Sequence, residues 1–404
     1  MNILYLCDEY PPGKHGGIGT VVQTLARQMV KQGHKVTVAG IYYWGYGGED
    51  HFTDEGVQVY RFRYKLASKW FHNYDSLRVR GSYKVLDKLG LLQWDIKRSL
   101  AKYRKFLEHL IAEYKIDIAE MPDYSDYMRF CKEVIHFPKL SVPVVVKLHG
   151  NMTYFARQAG MREEPQVHEM EHRILSDASA ICSVSKYTAD KTKEYFNLTK
   201  AISVIHNGIN THIATEKEYP INNRVIFSGT LVEKKGIFQL MKAWNIVAEK
   251  MDAQLQVYGK GNIDKIRSLL SPRAAESVAF MGHTDRTNLF RQISKSAVCI
   301  FPSYAEAFSL APMEAMACGV CVIFTKRTSG PELVTDGYNG LLVEPDNVEE
   351  IAEKIVYALS NRDVREQLAM RGQETVQKEF DLEVIAKQNL AFYTNVINGQ
   401  DAER

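Results

Sequence analysis

The feature that most constrains the fold of this chain is a regular alternation of short apolar runs with amphipathic helical patterns. Runs such as residues 3–7 and 142–148 have the length and the side chains of buried strands. Segments such as 18–32 and 95–114 carry apolar residues at the spacing of a helix that covers a sheet. Strands that alternate with helices predict an α/β fold with parallel sheets.

The same rhythm divides the chain into two parts. A chain of 404 residues is too long for one ordinary core, so two domains are expected. A polar stretch over residues 210–223, which contains Pro220, separates two sets of strand-like runs. The sets are 3–7, 35–39, 116–119, 142–148, 180–183 and 201–205, then 224–228, 253–258, 278–281, 298–301, 320–324 and 341–343. Helical patterns close the chain at 348–360, 364–379 and 382–398.

Composition and charge narrow the class of protein. Hydrophobic residues make up 45% of the chain and charged residues 25%, as in a soluble globular protein. The net charge of +3 is too small to indicate nucleic-acid binding, and no run of about 18 apolar residues predicts a membrane span. The N-terminal run reaches Asp8 without a basic segment. That favours a buried first strand over a signal peptide, and hence a cytoplasmic protein.

Six scattered cysteines, mostly within apolar runs, are typical of reduced, buried thiols. Cys318 and Cys321 form a C-x-x-C pattern, but no second pair accompanies it. We therefore expect small residues packed at a helix-to-strand turn there, rather than a redox or zinc site.

Chemistry is expected in loops that follow strands, because open α/β sheets place their ligands at the carboxyl ends of the strands. The loop after the first strand contains Gly16 and Gly17 and opens a helix. Glycines there allow a close backbone approach, and a helix N-terminus favours an anion. The spacing matches neither the dinucleotide pattern nor a P-loop, so neither cofactor is indicated.

Two further loops each carry one candidate. Lys235 stands at a helix start after the run 224–228, where it is either a point-charge partner for a diphosphate or a solvated lysine. His149 ends the run 142–148 and precedes a glycine. It is either a structural histidine or a functional group exposed to the cleft.

The fourth loop leads into a helix that begins near Leu310. Glu306 lies in the loop and Glu314 on the first turns of the helix, facing the same way. Two carboxylates there can accept hydrogen bonds from several sugar hydroxyls. The free amides of Phe308, Ser309 and Leu310 would point at a phosphate or a hydroxyl. The alternative is that Glu314 only complements the helix dipole.

Together these motifs resemble the retaining glycosyltransferases of family 4, also called glycosyl transferases group 1, over essentially the whole chain. The most specific match is Glu306-x7-Glu314 within the letters E-A-F-S-L-A-P-M-E-A-M-A-C-G. Supporting matches are Gly16-Gly17, Asn207-Gly208-Ile209, Lys235-Gly236, Tyr258-Gly259-Lys260-Gly261, Gly330-Pro331-Glu332 and Asp336-Gly337.

The resemblance implies the GT-B fold, in which two Rossmann-like domains face each other across a cleft. Residues 1–209 would form the acceptor-side domain and residues 210–381 the nucleotide-sugar-binding domain. The last helix of such folds crosses back, so residues from about 382 to 404 would return to the first domain.

The resemblance also implies roles for the candidates. Glu314 would hold the ribose hydroxyls of the donor nucleotide, and Glu306 the hydroxyls of the transferred sugar. Lys235 and the amides after Phe308 would neutralise the diphosphate. Closure of the cleft would exclude water and protect the donor from hydrolysis.

Other positions are implied in the same way. Gly17 would approach the phosphates from the other domain, His283 would meet the base, and His149 would lie near the reacting carbon and the acceptor. The family usually has arginine where this chain has Thr230. One of the two cations expected on the diphosphate is therefore missing, and Lys235 would supply more of the positive charge that neutralises it.

Family members retain the anomeric configuration of the sugar, and no side chain here is an obvious nucleophile. The resemblance therefore implies same-face attack assisted by the leaving group, in a hexosyltransferase-type enzyme of bacterial polysaccharide biosynthesis. The donor would be a nucleoside diphosphate sugar, and the acceptor a hydroxyl of a glycan, a lipid-linked or a small molecule. The sequence contains no D-x-D motif, so no metal or other cofactor is expected.

Three alternatives come from other classes of function. An inactive GT-B protein could act as a partner subunit, which only Thr230 favours. An epimerase could use the same fold, although the context of the two glutamates argues against it. The letters His168-Glu169-Met170-Glu171-His172 fit the H-E-x-x-H pattern of a zinc hydrolase, but their charged surroundings are typical of a solvated helix.

Residues 61–105 form the most unusual stretch, because basic and aromatic residues are interleaved there. That composition suits contact with an anionic membrane or with an acceptor that bears phosphate. We expect peripheral association with the inner membrane face; the alternative is a solvated insertion with its aromatic residues packed inward. The residues include Arg61, Arg63, Lys65, Lys69, Tyr64, Trp70, Phe71, Tyr74, Tyr83 and Trp94.

Overall fold

The computed structural model describes residues 1–13, 15–43, 48–64, 76–213 and 221–399. Some features of the sequence analysis lie outside these ranges. They are Lys65, Lys69, Trp70, Phe71, Tyr74 and Pro220. The side chains of Tyr64 and Tyr83 are likewise not described.

The first sheet has eight strands in the order β3-β4-β2-β1-β5-β6-β7-β8. All neighbours are parallel except β3 and β4, which form an antiparallel pair. The strands are β1 Asn2–Leu6, β2 Lys35–Tyr43, β3 His51–Asp54, β4 Val57–Tyr64, β5 Ile118–Pro122, β6 Val144–Leu148, β7 Ala180–Ser183 and β8 Ile202–Val204. Six of them were predicted from the apolar runs; the sequence analysis missed β3 and β4.

The second sheet has six strands in the order β11-β10-β9-β12-β13-β14, and all its neighbours are parallel. The strands are β9 Ile221–Ser228, β10 Gln254–Tyr258, β11 Val278–Gly282, β12 Ser296–Phe301, β13 Cys321–Thr325 and β14 Leu341–Val343. Each corresponds to a predicted run. The central strand β12 is buried along its whole length, which is why its sequence is continuously apolar or small.

Helices connect the strands and cover the sheets. In the first half they are α1 Gly17–Lys31, α2 Leu77–Lys88, α3 Leu91–Tyr114, α4 Met152–Gln158, α5 Pro165–Asp177 and α6 Lys186–Phe196. In the second half they are α7 Ile237–Lys250, α8 Ile263–Arg267, α9 Pro272–Glu276, α10 Arg286–Ser294, α11 Leu310–Ala317, α12 Gly330–Leu333, α13 Val348–Ser360, α14 Arg362–Glu379 and α15 Leu382–Ile397. The three closing helices lie where the periodicity predicts them.

Contacts divide the chain into two compact units. The first holds Met1–Val184, Thr188–Ile205 and the chain from Ala386 onwards. The second holds Ser185–Tyr187 and His206–Ile385. Apart from the three residues Ser185–Tyr187, the chain changes unit between Ile205 and His206 and again within α15.

Both ends of the second unit are tied together by backbone hydrogen bonds. The amide of Ile209 donates to the carbonyl of Phe380 at 3.0 Å, and the amide of Leu382 donates to the carbonyl of Ile209 at 2.8 Å. The hydroxyl of Thr211 donates to the carboxylate of Asp381 at 2.5 Å. A side chain at Gly208 would come within 3.0 Å of Ile385, so glycine is needed for this close approach.

A buried group of polar side chains fixes α15 to the first sheet. The ammonium of Lys147 on β6 lies 3.1 Å from the carboxylate of Glu120 on β5, and both side chains are almost fully buried. The hydroxyl of Tyr393 on α15 donates to the same carboxylate at 2.6 Å. Lys147 also donates to the side-chain oxygen of Asn389 at 2.6 Å. The charges of two strands therefore hold the last helix in place.

Arg61 and Arg63, two of the basic residues of the 61–105 stretch, are turned into the first unit and are not available for contact with a membrane. Membrane contact through the rest of that stretch stays a prediction. Arg61 lies on β4 and is buried, and its guanidinium donates to the carbonyl oxygens of Tyr10 and Pro12 at 3.1 and 2.6 Å. The Arg63 side chain is also turned inward and pairs with Asp50 at 2.7 Å. These arginines belong to the fold of the first unit, because backbone carbonyls accept hydrogen bonds from Arg61 and a carboxylate pairs with Arg63.

All six cysteines are free thiols, and five of them are buried. Cys318 ends α11, and Cys321 begins β13. Among the described residues, no helix is both long enough and apolar enough to cross a membrane.

The buried pair predicts an asymmetric response to mutation. Lys147→Met leaves the Glu120 carboxylate buried without its cation, so we expect a loss of about 3–5 kcal/mol in the free energy of unfolding. Lys147→Met combined with Glu120→Gln leaves no unpaired charge and should recover much of that loss. Calorimetric unfolding of the full chain measures both.

The matched control is the exposed pair of Lys97 and Glu133, whose charged atoms lie 3.0 Å apart. Lys97→Met should cost about 1 kcal/mol or less, because water screens an exposed pair. Equal losses for Lys97→Met and Lys147→Met would contradict the importance given to the buried pair.

Candidate functional site

The loop after β9 brings Lys235 to the carboxyl edge of the second sheet. A short 3₁₀ turn spans Glu233–Lys235, and Gly236 follows in the left-handed region at φ 72°. A Cβ atom at Gly236 would lie 1.8 Å from the carbonyl oxygen of Pro302, which follows β12. Glycine is therefore required, because the loops after the neighbouring strands β9 and β12 pack backbone against backbone.

That packing brings Lys235 and Glu306 into contact. The Lys235 ammonium lies 2.5 Å from the Glu306 carboxylate. The carboxylate side chain is only 10% exposed and that of Lys235 25%, so the pair is shielded yet reachable. The amide of Glu306 donates to the hydroxyl of Thr328 at 3.3 Å, which fixes the loop from the other side.

The start of α11 presents amide groups that have no partner among the described residues. Ser309 is the N-cap residue, and its side chain makes no capping hydrogen bond. The amides of Phe308, Ser309 and Leu310 have no acceptor among the described residues. Such amides, with the helix dipole behind them, form a binding position for an anion or a hydroxyl.

Ring packing and a side-chain hydrogen bond fix the position of the helix start at Phe308. The ring of Phe308 is buried and packs on the rings of His206 and Phe380, with centroids 4.6 and 5.4 Å away. The side-chain amide of Asn207 donates to the carbonyl of Phe308 at 3.0 Å. Asn207, which the sequence analysis gave only as a supporting match, thus positions the amides of α11.

Glu314 lies farther along α11 and has its own cation. Its carboxylate pairs with the guanidinium of Arg286, the first residue of α10. Burial raises the pKa of Glu314, and the charge of Arg286 acts in the opposite direction. No described contact joins Glu314 to Glu306 directly; each carboxylate pairs with a separate cation.

Arg286 was missed by the sequence analysis. The sequence feature that could have identified Arg286 is its position three residues after His283, in a loop that follows a strand. His283 itself is exposed and makes no hydrogen bond to a described residue. Thr230 is also exposed and follows Gly229 at the end of β9.

In the first unit, the amides at the start of α1 already have an anionic partner. The carboxylate of Glu9 accepts hydrogen bonds from the amides of Gly16 and Gly19 at 3.1 and 2.7 Å. The space beside Gly17 is open, since a Cβ there would meet nothing within 4 Å. A phosphate at this helix start would compete with Glu9, which the sequence analysis did not consider.

His149 follows β6 and is buried and neutral. Burial, with the nearby charge of Lys147, lowers the pKa of His149 to about 3. Its backbone amide donates to the carboxylate of Asp123 at 2.9 Å. His149 can therefore serve as a neutral donor or acceptor near pH 7, but not as a cation.

Asp123 stands directly after β5 and was also missed. Burial raises its pKa to about 7, although hydrogen bonds from the amides of His149 and Gly150 oppose that rise. Its second carboxylate oxygen has no hydrogen-bond partner among the described groups. A carboxylate directly after a strand was the signal that could have identified it.

The H-E-x-x-H segment is part of helix α5. The His168 ring packs on Phe196 at 4.7 Å, and the His172 ring stacks on the same phenylalanine at 6.4 Å. Glu171 is buried and accepts from the amides of Met152 and Thr153 at 2.8 and 3.1 Å. In the described part of the chain, no three histidine, cysteine or acidic residues are grouped as metal ligands would be.

Comparison with known proteins identifies the family. Residues 15–213 match the model for Glycosyltransferase Family 4, and residues 209–375 match the model for Glycosyl transferases group 1. An uncharacterized glycosyltransferase of Methanocaldococcus jannaschii is 25% identical over 97% of this chain and 98% of its own length. The chain belongs to this glycosyltransferase family and is a transferase.

Solved structures agree on the fold. Sucrose-phosphate synthase from Thermosynechococcus elongatus matches with a TM-score of 0.75 at 19% identity, over 98% of this chain and 99% of that one. HepE of Anabaena in complex with UDP and glucose matches with a TM-score of 0.69 at 16% identity, over 98% and 100%. The fold is that of the GT-B glycosyltransferases.

The raised pKa of Asp123 predicts a pH-dependent effect on stability. Its pKa is about 7 in the folded chain and about 3.9 when unfolded, so the folded chain binds this proton more tightly. The stability contribution of Asp123 is therefore lost as the pH rises from about 4 through 7. Asp123→Asn removes that dependence, so the variant's thermal midpoint should rise relative to the parent chain between pH 5 and pH 8. A difference that stays constant over this range would contradict the assignment.

Proposed function

We propose that this chain transfers a sugar from a nucleoside diphosphate sugar to an acceptor hydroxyl, with retention of anomeric configuration and without a metal. The observation that carries the proposal is the contact of Lys235 with Glu306 beside the unpaired amides of α11. A cation, a shielded carboxylate and free amides are the three groups that a sugar diphosphate requires. The presence of UDP and glucose in the HepE complex supports a donor of this chemical class.

Different residues of the second unit bind different parts of the donor. The amides of Phe308, Ser309 and Leu310 bind the diphosphate together with Lys235. Glu306 accepts hydrogen bonds from the hydroxyls of the transferred sugar. Because the Lys235 ammonium has three donors, it can hold Glu306 and a phosphate oxygen at once.

Glu314 and the loop after β11 bind the nucleoside end. The Glu314 carboxylate accepts from the ribose hydroxyls, and His283 meets the base. Thr230 leaves the loop after β9 without the arginine that is usual in the family. Arg286 brings a second cation to α11 through its pair with Glu314. We assign to Arg286 part of the positive charge that an arginine at position 230 would supply.

The reaction is a substitution at the anomeric carbon. The acceptor oxygen forms a bond to that carbon on the face from which the phosphate leaves, and the bond from carbon to phosphate oxygen breaks. The acceptor proton passes to the departing phosphate. Lys235 and the α11 amides stabilise the charge that develops on the leaving group, which lowers the barrier without an enzymic nucleophile.

The first unit supplies the acceptor side in this proposal. His149 offers a neutral imidazole, because its pKa is lowered to about 3 and it carries no charge near pH 7. Gly16 and Gly17 provide a loop without side chains. Since Glu9 already occupies the amides of Gly16 and Gly19, the diphosphate is assigned mainly to α11 rather than to α1.

Lys235 provides the sharpest test of the donor site. Lys235→Met should lower kcat/KM about 10²–10³-fold, because a cation on the leaving group acts mainly in the transition state. The substrate is the UDP-, GDP- or ADP-sugar that most raises the thermal midpoint of the chain. Release of the nucleoside diphosphate is the measured rate.

Lys234→Met is the matched control, since it removes the same charge from the adjacent, exposed position. It should change kcat/KM by about fivefold at most. Lys235→Arg should recover part of the lost rate by restoring the charge. Equal losses at both lysines would overturn the role of Lys235, and no shift with any nucleotide sugar would favour an inactive partner subunit.

Stereochemistry and metal use can be tested in one reaction. With EDTA present throughout, we expect turnover to continue, because protein cations and amides neutralise the diphosphate. Proton NMR of the glycoside formed should show the anomeric configuration of the donor. An inverted product, or a rate restored only by added divalent metal, would contradict the proposal.

A further inference from the structure

Helices α2 and α3 meet at an exposed apolar corner, which we call the α2–α3 corner and define as residues 76–98. Leu77 is 85% exposed, Leu89 65% and Trp94 57%. Large apolar side chains normally avoid such exposure when they cluster, and a cluster marks an interaction surface. The exposed apolar residues of the corner are Leu77, Val85, Leu89, Leu91 and Trp94.

The two helices use separate faces for the core and for this corner. On α2, Leu77 and Val85 are exposed, as is Leu89 at the C-cap, whereas Val79 is buried. On α3, Leu92 and Ile96 are buried, but Trp94 between them faces outward. The exposed side chains are thus additional to those that hold the helices on the first unit.

Basic residues surround the apolar ones. Arg78, Lys84, Lys88 and Arg98 are exposed, and none forms an ion pair with a described residue. The Arg98 guanidinium lies 5.2 Å from the ring centre of Trp94. The carboxylate of Asp87 is engaged by Lys132 and is mostly shielded. The corner therefore combines exposed hydrocarbon with four basic side chains that form no ion pair with a described residue.

We propose that the α2–α3 corner docks the chain on an anionic phospholipid surface. Leucine and tryptophan side chains would enter the boundary between headgroups and acyl chains, while the lysines and arginines meet lipid phosphates. A second copy of the chain fits less well, because a twofold interface would set the same positive charges against each other. This inference goes beyond the proposed function and does not depend on it.

The test is co-sedimentation of the full chain with vesicles. Vesicles of phosphatidylcholine mixed with phosphatidylglycerol should bind the chain, and those of phosphatidylcholine alone should bind it far less. Leu77→Ser combined with Leu89→Ser should lower the partition coefficient about tenfold or more, because two apolar side chains no longer enter the lipid. Lys84→Gln should lower it about fivefold.

Met161→Ser is the matched control, because Met161 is a similarly exposed apolar residue of the same unit outside the corner. It should leave the partition coefficient unchanged. Trp94 offers an independent readout. The fluorescence of the chain, which has four tryptophans, should shift to the blue on anionic vesicles, and Trp94→Phe should reduce that shift.

Three results would overturn the proposal. They are equal binding to both vesicle types, no binding to either, and binding that Leu77→Ser with Leu89→Ser leaves unchanged in a folded variant. Circular dichroism verifies folding. Dimerisation in solution that the same substitutions abolish, without vesicle binding, would assign the corner to a second copy instead.

Discussion

The Lys235 ammonium and the Glu306 carboxylate lie 2.5 Å apart because two strands that are distant in sequence are neighbours in the second sheet. The buried strand β12 lies beside β9, which brings the loops after the two strands together, and Gly236 lets those loops touch at Pro302. A shielded pair of opposite charges costs desolvation, which only a satisfied geometry offsets. The free amides of α11 open beside this pair, so the proposed donor chemistry depends on that packing.

Sequence periodicity predicted twelve of the strands and the closing helices because the cores demand continuous apolar runs and helical spacing. It missed β3 and β4, whose charged residues interrupt the pattern. The buried guanidinium of Arg61 donates to backbone carbonyls of a distant loop, which no local pattern reveals. Lys235 and Glu306 were identified from loop position and family resemblance. Arg286, Asp123 and Glu9 were not, because their importance arises only when separate loops meet in space.

The first unit uses buried charge differently. Lys147 and Glu120 neutralise each other within the sheet, and Tyr393 extends that network to the last helix, so a C-terminal segment is fixed to strands from early in the chain. Asp123 and His149 lie at the ends of β5 and β6. Burial raises the pKa of Asp123 and lowers that of His149, so the neutral form of each side chain is favoured. The charges of Lys147 and Glu120 are thus paired in the interior of this unit, and burial favours the neutral forms of Asp123 and His149, whereas the basic residues of the α2–α3 corner are exposed.

The central claim is that the start of α11, with Lys235 and Glu314, holds the nucleoside diphosphate. A crystal structure of the chain with UDP, GDP or ADP, whichever most raises its thermal midpoint, tests this most directly. The account predicts phosphate oxygens within hydrogen-bond distance of the Ser309 and Leu310 amides and of the Lys235 ammonium, with ribose hydroxyls on Glu314. A diphosphate bound at the glycines that open α1, with the α11 amides unoccupied, would contradict it.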